Sequence, residues 1–332
     1  MNRLRIAALA GLVAMTLGGP TVSLAQTAAL PPALQAAFDS GNGQALQSAI
    51  ASLSAGDPAK SAALAQEIIV AAEKLLKIDP QRAVNIATTA VNVINSASVQ
   101  QSAPQQSQSV ITIAARIFIS PEAEKAVPAQ AAQLATTTLQ AASASSNATL
   151  VATVAVEAVS AAEKLLPSVP GAAVQLAGAA VQAVNQSSVL QSSSAQASQV
   201  AVAAARVIVD PAAEAAAPSV VATIAVAVVQ VVTNPAVYAV SPSSAISAMA
   251  NSYSAAGSAA VSAAVPTAAS SVRSVLVQAE SSGTLSQINA VTGANINTIL
   301  AGTNPETGQP LSSGTAQTTP NAENKLQSAS PT

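Results

Sequence analysis

Ala71-Ala72-Glu73-Lys74-Leu75-Leu76 recurs as Ala161-Ala162-Glu163-Lys164-Leu165-Leu166, 90 residues further along the chain. The match runs on without a gap. Pro80, Ala83, Val84, Ala87, Val91 and Asn95 fall on Pro170, Ala173, Val174, Ala177, Val181 and Asn185. Ala114-Ala115-Arg116 falls on Ala204-Ala205-Arg206, and Pro128 on Pro218. About 30 of the 70 positions from 71 to 140 are identical to their counterparts from 161 to 230, too many for a shared alanine bias. The chain is a duplication, and a duplication at this period decides the fold class.

A finer spacing sits inside it. Pro80, Pro128, Pro170, Pro218 and Pro266 stand 48, 42, 48 and 48 residues apart, each opening a stretch of helical pattern. Between Pro80 and Asn95 the polar residues are Gln81, Asn85, Thr88, Asn92 and Asn95, opposite a stripe of Ala83, Ala87, Ala90, Val91 and Ile94. That is one wet and one apolar face at a period of 3.6 residues. Asp57-Pro58, Asp79-Pro80, Ser120-Pro121 and Asp210-Pro211 each place an acceptor side chain before a proline, the signature of a helix start. The expected fold is therefore all-α: tandem helical hairpins of about 45 residues, paired into a 90-residue duplicated unit and stacked like an α-solenoid.

Outward from the repeats, residues 26–56 are expected to form N-terminal capping helices, 57–146 and 147–236 two four-helix units, and 237–301 a degenerate C-terminal helical module. After Gly302 the Gly, Pro, Thr, Ser and Asn content shows no apolar period, so residues 302–332 are expected to be a disordered tail. Residues 220–232 are nearly all apolar and rich in Val and Ile, which suggests a strand or a membrane span. The stretch is far short of the roughly 20 residues a span needs and aligns with an amphipathic helix of the first unit, so a buried helix is expected.

Residues 1–25 read as a secretory signal peptide: Arg3 and Arg5, an apolar run over residues 6–17, then Ser23-Leu24-Ala25 with small residues placed for cleavage after Ala25. The expected location is periplasmic or extracellular. Cleavage removes two of the 12 basic residues and none of the 14 acidic ones, leaving a net charge of −4. Nucleic-acid binding needs a basic stripe, and there is none.

Chemistry is narrowed further by what the chain lacks. With no histidine and no cysteine, imidazole or thiol catalysis and Cys/His zinc sites are ruled out for this chain alone. No phosphate loop or calcium loop is present, so no cofactor or metal is expected. Glu124 and Glu214 are expected in first helical turns, where negative charge suits the helix dipole.

Arg116 and Arg206 each stand in an apolar stretch, Ala114-Ala115-Arg116-Ile117 and Ala204-Ala205-Arg206-Val207. A guanidinium there needs an acceptor, and Glu67 and Glu157 of the same units are the expected partners, ahead of a ligand carboxylate or sugar.

The reading is an exported, non-enzymatic structural or protein-interaction scaffold. Self-assembly into an envelope filament or surface layer is the alternative, and contact with a membrane surface stays open. Asp79-Pro80-Gln81-Arg82-Ala83 and the Ala/Leu spacing resemble tetratricopeptide and HEAT repeats in architecture alone. The period departs from the former's 34 or so residues, and its Trp, Gly and Tyr positions are missing.

Overall fold

The computed structural model describes residues 30–311. The signal-peptide reading of residues 1–25 lies outside them, as do residues 312–332. Twenty helices and a single isolated β-bridge make up the described residues. The chain is all-α.

The four proline starts form as the sequence indicates. Asp57 accepts from the backbone N–H groups of Ala59 and Lys60, Asp79 from Arg82, Ser120 from Ala123 and Asp210 from Ala212, each followed by Pro at the first helical position. These bonds satisfy donors that a helix start otherwise leaves unmade.

At the N-terminus, α1 (Pro32–Ser40) and α2 (Gly43–Ser54) form a pair. The first 90-residue unit follows as α3 (Pro58–Leu75), α4 (Pro80–Ile94), α5 (Ala97–Ser102), α6 (Pro104–Phe118), α7 (Pro121–Ala126) and α8 (Pro128–Ala144). The second repeats it as α9 (Ala148–Leu165), α10 (Pro170–Val184), α11 (Ser187–Ser192), α12 (Ser194–Ile208), α13 (Pro211–Ala216) and α14 (Pro218–Val232). The C-terminal part holds α15 (Pro235–Tyr238), α16 (Pro242–Ala256), α17 (Ala259–Ala264), α18 (Ala268–Ser281), α19 (Thr284–Ile288) and α20 (Thr292–Leu300).

Each unit thus contains four long helices and, in addition, two of six residues. The 45-residue hairpin divides further: Pro80, Pro104 and Pro128, and again Pro170, Ser194, Pro218 and Pro242, begin long helices 24 residues apart. The reason is local. Ala103, Val127 and Ala217, at φ near −140° and ψ near 60°, each precede a proline that disfavours the helical region, and Ser193 holds a similar conformation ahead of Ser194 without one. Each such residue ends a short helix and starts a long one.

Helices pack in neighbouring pairs. The tightest are α3 with α4 and α9 with α10. In one rank α3, α6, α9, α12 and α16 touch in succession; in the other α4, α8, α10, α14 and α18 do so. Within a rank the helices run parallel. Gln66 Nε2 donates to Ser109 Oγ at 3.1 Å and Arg116 reaches Glu73, so α3 and α6 are in register at an offset of 43 residues at both ends.

The core between the ranks is built from small side chains. Ala83, Val84, Ile86, Ala87, Ala90, Val91 and Ile94 of α4 are fully buried, while Gln81, Asn85, Asn92 and Asn95 are exposed, matching the two faces read from the sequence. Residues 220–232 lie in α14, a helix buried against α10, α12, α16 and α18. No helix among the described residues is long and apolar enough to cross a membrane.

The C-terminal end departs from expectation. After the short helices α19 and α20, residues 302–311 fold into a turn instead of beginning a disordered tail. Thr303 bridges Pro310, Asn304 Oδ1 accepts from the N–H of Glu306 at 2.7 Å, and Leu311 N–H donates to Gly302 O at 2.9 Å. Ser247 Oγ of α16 donates to Glu306 Oε2 at 3.2 Å. Nearby, fully buried Tyr238 shares a 2.6 Å hydrogen bond with Thr292 Oγ1, tying α15 to α20.

Candidate functional site

The parallel register within the first rank sets the partners of the arginines. Arg116 Nε donates to Glu73 Oε1 at 2.7 Å and Nη2 to Glu73 Oε2 at 3.1 Å, a two-pronged pair between α6 and α3. Arg206 repeats it on α12: Nε and Nη2 lie 2.8 and 2.7 Å from Glu163 Oε1 on α9. The expected pairing with Glu67 and Glu157 is corrected on both counts. An offset of 43 residues puts position 73 opposite 116, whereas Glu67, six residues earlier, sits about 9 Å up the helix. Glu67 is exposed on α3.

Glu157 does meet an arginine, though from the preceding unit. Burial raises its carboxyl above the ordinary carboxylate value, and the positive charge of Arg116 opposes that rise. Its Oε2 is buried without a hydrogen-bond partner. Arg116 thereby stands between Glu73 of the first unit and Glu157 of the second. Glu73 in turn holds the guanidinium more firmly protonated, chiefly through the hydrogen bond.

Glu124 and Glu214 lie in the first turns of α7 and α13 as expected, but their surroundings differ. Glu124 accepts from Lys164 Nζ at 3.0 Å. Glu214 is buried at 5% exposure with Oε1 unpartnered, and the residue 90 positions on from Lys164 is the uncharged Ser254. Burial raises the Glu214 carboxyl, a hydrogen bond from Ser258 lowers it and Asp210 raises it. Each bonded arginine pair lies within one unit, and the charge of Arg116 acting on Glu157 reaches from the first unit to the second. Among the described residues no three His, Cys, Asp or Glu side chains are close enough to hold a metal ion.

The second rank presents something else. Its helices α8, α10 and α14 carry no charged residue, α4 carries only Arg82 at its start, and α18 at the C-terminal end carries Arg273 and Glu280. The charges of the two units lie instead on α3, α6, α9 and α12, on the short helices and in the turns between helices. What the second rank exposes is amide: Asn85 and Asn92 on α4, Gln133 and Gln140 on α8, Gln175 and Gln182 on α10, Gln230 on α14. A cavity of about 270 Å³ opens at the start of this face, lined by Gly41, Gly43, Asn85, Thr88, Gln130 and Gln133. Gly41 sits there with φ +65°, its backbone against the Arg82 side chain, where any Cβ would come within 2.9 Å of that chain.

Sequence reasoning used these polar residues only to establish a helical period and missed them as a surface. The signal was present in the spacing: Asn92, Gln140, Gln182, Gln230 and Gln278 follow one another at 48, 42, 48 and 48 residues, in step with the helix-opening prolines. No family model, no curated protein and no solved structure matches the chain.

Proposed function

We propose that the chain is an exported, non-enzymatic scaffold whose stacked helix pairs form a solenoid-like array for binding protein. The observation that carries this reading is the segregation of charge. The bonded arginines join successive helices of one rank, Arg116 with Glu73 and Arg206 with Glu163, while α8, α10 and α14 of the other rank present an uncharged, hydrogen-bonding face. A chain that needed its polar residues only for solubility would scatter its charges over both ranks. The lack of histidine and cysteine supports a non-catalytic role.

Placing a photo-crosslinker at Gln182 on the second rank and, separately, at Thr112 on the first tests this in the producing cell. Capture of a discrete protein from Gln182 and not from Thr112 is the expected result; equal labelling from both, or from neither, rejects the scaffold. Export is checked by N-terminal sequencing of the accumulated protein, with Gln26 expected as the first residue and retention of Met1 rejecting it.

Self-assembly is the second reading, favoured by Val277, Ile288 and Val291, which are 46%, 40% and 56% exposed at the C-terminal end. Light scattering across a wide concentration range separates the two. Growing oligomers abolished by Val291→Lys support assembly, and a monomer at all concentrations rejects it.

A further inference from the structure

The amide face is ordered as two rows. Counting from the first helical residue of α4, α8, α10 and α14, the sixth position is Asn85, Gln133, Gln175 and Thr223, and the thirteenth is Asn92, Gln140, Gln182 and Gln230; all eight are exposed. Seven residues separate the rows, two helical turns or about 10 Å. Between them lie small or medium side chains, with Thr88, Thr136, Gly178 and Val226 at the ninth position. At Gly178 the floor is close-packed: an added Cβ would lie 3.2 Å from the Ile224 side chain. Asn185 Nδ2 and Gln230 Oε1, 3.4 Å apart, join adjacent helices along the same face.

We propose that this double row binds an uncharged polypeptide in the polyproline II conformation, laid across the helices with one rung per ligand turn. The inference rests on the scaffold reading and names its partner chemistry. A primary amide offers one donor pair and one acceptor, the complement of a peptide group. A polyproline II chain has three residues per turn and a rise of about 3.1 Å, so equivalent carbonyls recur every 9 Å or so. Packed helices stand about 8–10 Å apart, so successive amides meet successive turns. Such a chain has no internal hydrogen bonds, and its carbonyls project outward for the amides to reach.

The same face disfavours other occupants. No lysine or arginine on α8, α10 or α14 neutralises phosphate, and no Phe, Tyr or Trp on α4, α8, α10 or α14 offers a stacking platform for bases or sugar rings. An acidic or basic peptide would find no countercharge there.

Fluorescence anisotropy of the mature chain with a labelled oligoproline, long enough to cross three helices, tests this against a Gly/Ser peptide of equal length. The oligoproline is expected to bind, with an affinity that barely changes between low and high salt because no charge is involved. The combined variant Gln140→Ala, Gln182→Ala, Gln230→Ala is expected to weaken it at least tenfold. Gln105→Ala with Gln199→Ala on the other rank is expected to leave it unchanged, and circular dichroism checks that both variants fold. The proposal is overturned if oligoproline binds no better than Gly/Ser, if the triple variant binds like the parent, or if binding falls steeply with salt. A Gln182 crosslink to a host protein alongside failure of oligoproline overturns the ligand class alone; failure of both overturns the scaffold as well.

Discussion

Glu214 folds into a place where its charge is unwelcome. Its ordinary value is 4.5, and burial lifts it in the folded chain, so between 4.5 and that raised value the native state binds a proton the unfolded state has released. Stability contributed by this group is complete below 4.5 and is lost as pH rises through the folded value. Glu157 and Glu306 are raised for the same primary reason and act with the same sign. The chain is therefore expected to melt higher at mildly acidic pH than at neutrality. Glu214→Gln should raise the neutral-pH midpoint by about 2–4 °C, the equivalent of roughly 1 kcal/mol for removing a buried charge whose Oε1 lacks a partner, and flatten the pH profile measured by calorimetry. A second residue carries backbone strain. Ser146 has φ +55° in the turn before α9, at the position that Gly56 fills with φ +82° before α3. Ser146→Gly should restore the unstrained residue and add about 1 kcal/mol in chemical denaturation. Neither site was legible beforehand. Glu214 reads as a favourable first-turn acid, which it is, and only the packing of α13 against α17 shows that it is buried beside Ser258 rather than paired with a lysine.

At the scale of the element, the prolines and their caps are the strongest determinants. Asp57 alone satisfies two backbone donors at the start of α3, the helix that carries Glu67 and Glu73 and packs on α4 and α6. Asp57→Ala is expected to cost about 1 kcal/mol, read as a shift of the urea midpoint without a change in slope. Long helices were legible in the sequence because most begin at a proline and an apolar stripe marks the buried side, although only α3, α4 and α16 have an Asp or Ser before that proline. The six-residue helices were legible only at their starts, at Ser120-Pro121 and Asp210-Pro211; a stretch of that length is too short to show a 3.6-residue period, and most of them end where a proline ahead turns the chain, α11 ending at Ser193 without one. The arginine partners were misassigned for a related reason. Sequence shows which helices form but not the register between parallel neighbours, and moving that register by six residues exchanges Glu73 for Glu67.

For the molecule as a whole, duplication gives the two ranks their regularity, and the last unit pays for having no successor. Ser247 stands where Glu157 stands one unit earlier, and it bonds Glu306 from the terminal turn rather than meeting an arginine. The overall all-α architecture was readable from the repeat, while the amide rows required the ranks, because residues 42 or 48 apart become neighbours only once the helices are stacked. A different consequence follows from Tyr238, bonded to Thr292 in the C-terminal end. The chain has no tryptophan and its two tyrosines are Tyr238 and Tyr253, both in that end. Tyrosine emission therefore watches one end of the array, whereas far-ultraviolet dichroism watches every helix. Superimposable melting curves from the two signals would mean that the array melts as one cooperative body. Emission changing first, the outcome expected where α16 to α20 form the less regular end, would mean that the array frays from its C-terminus, and the protein carries its own optical gauge of that event.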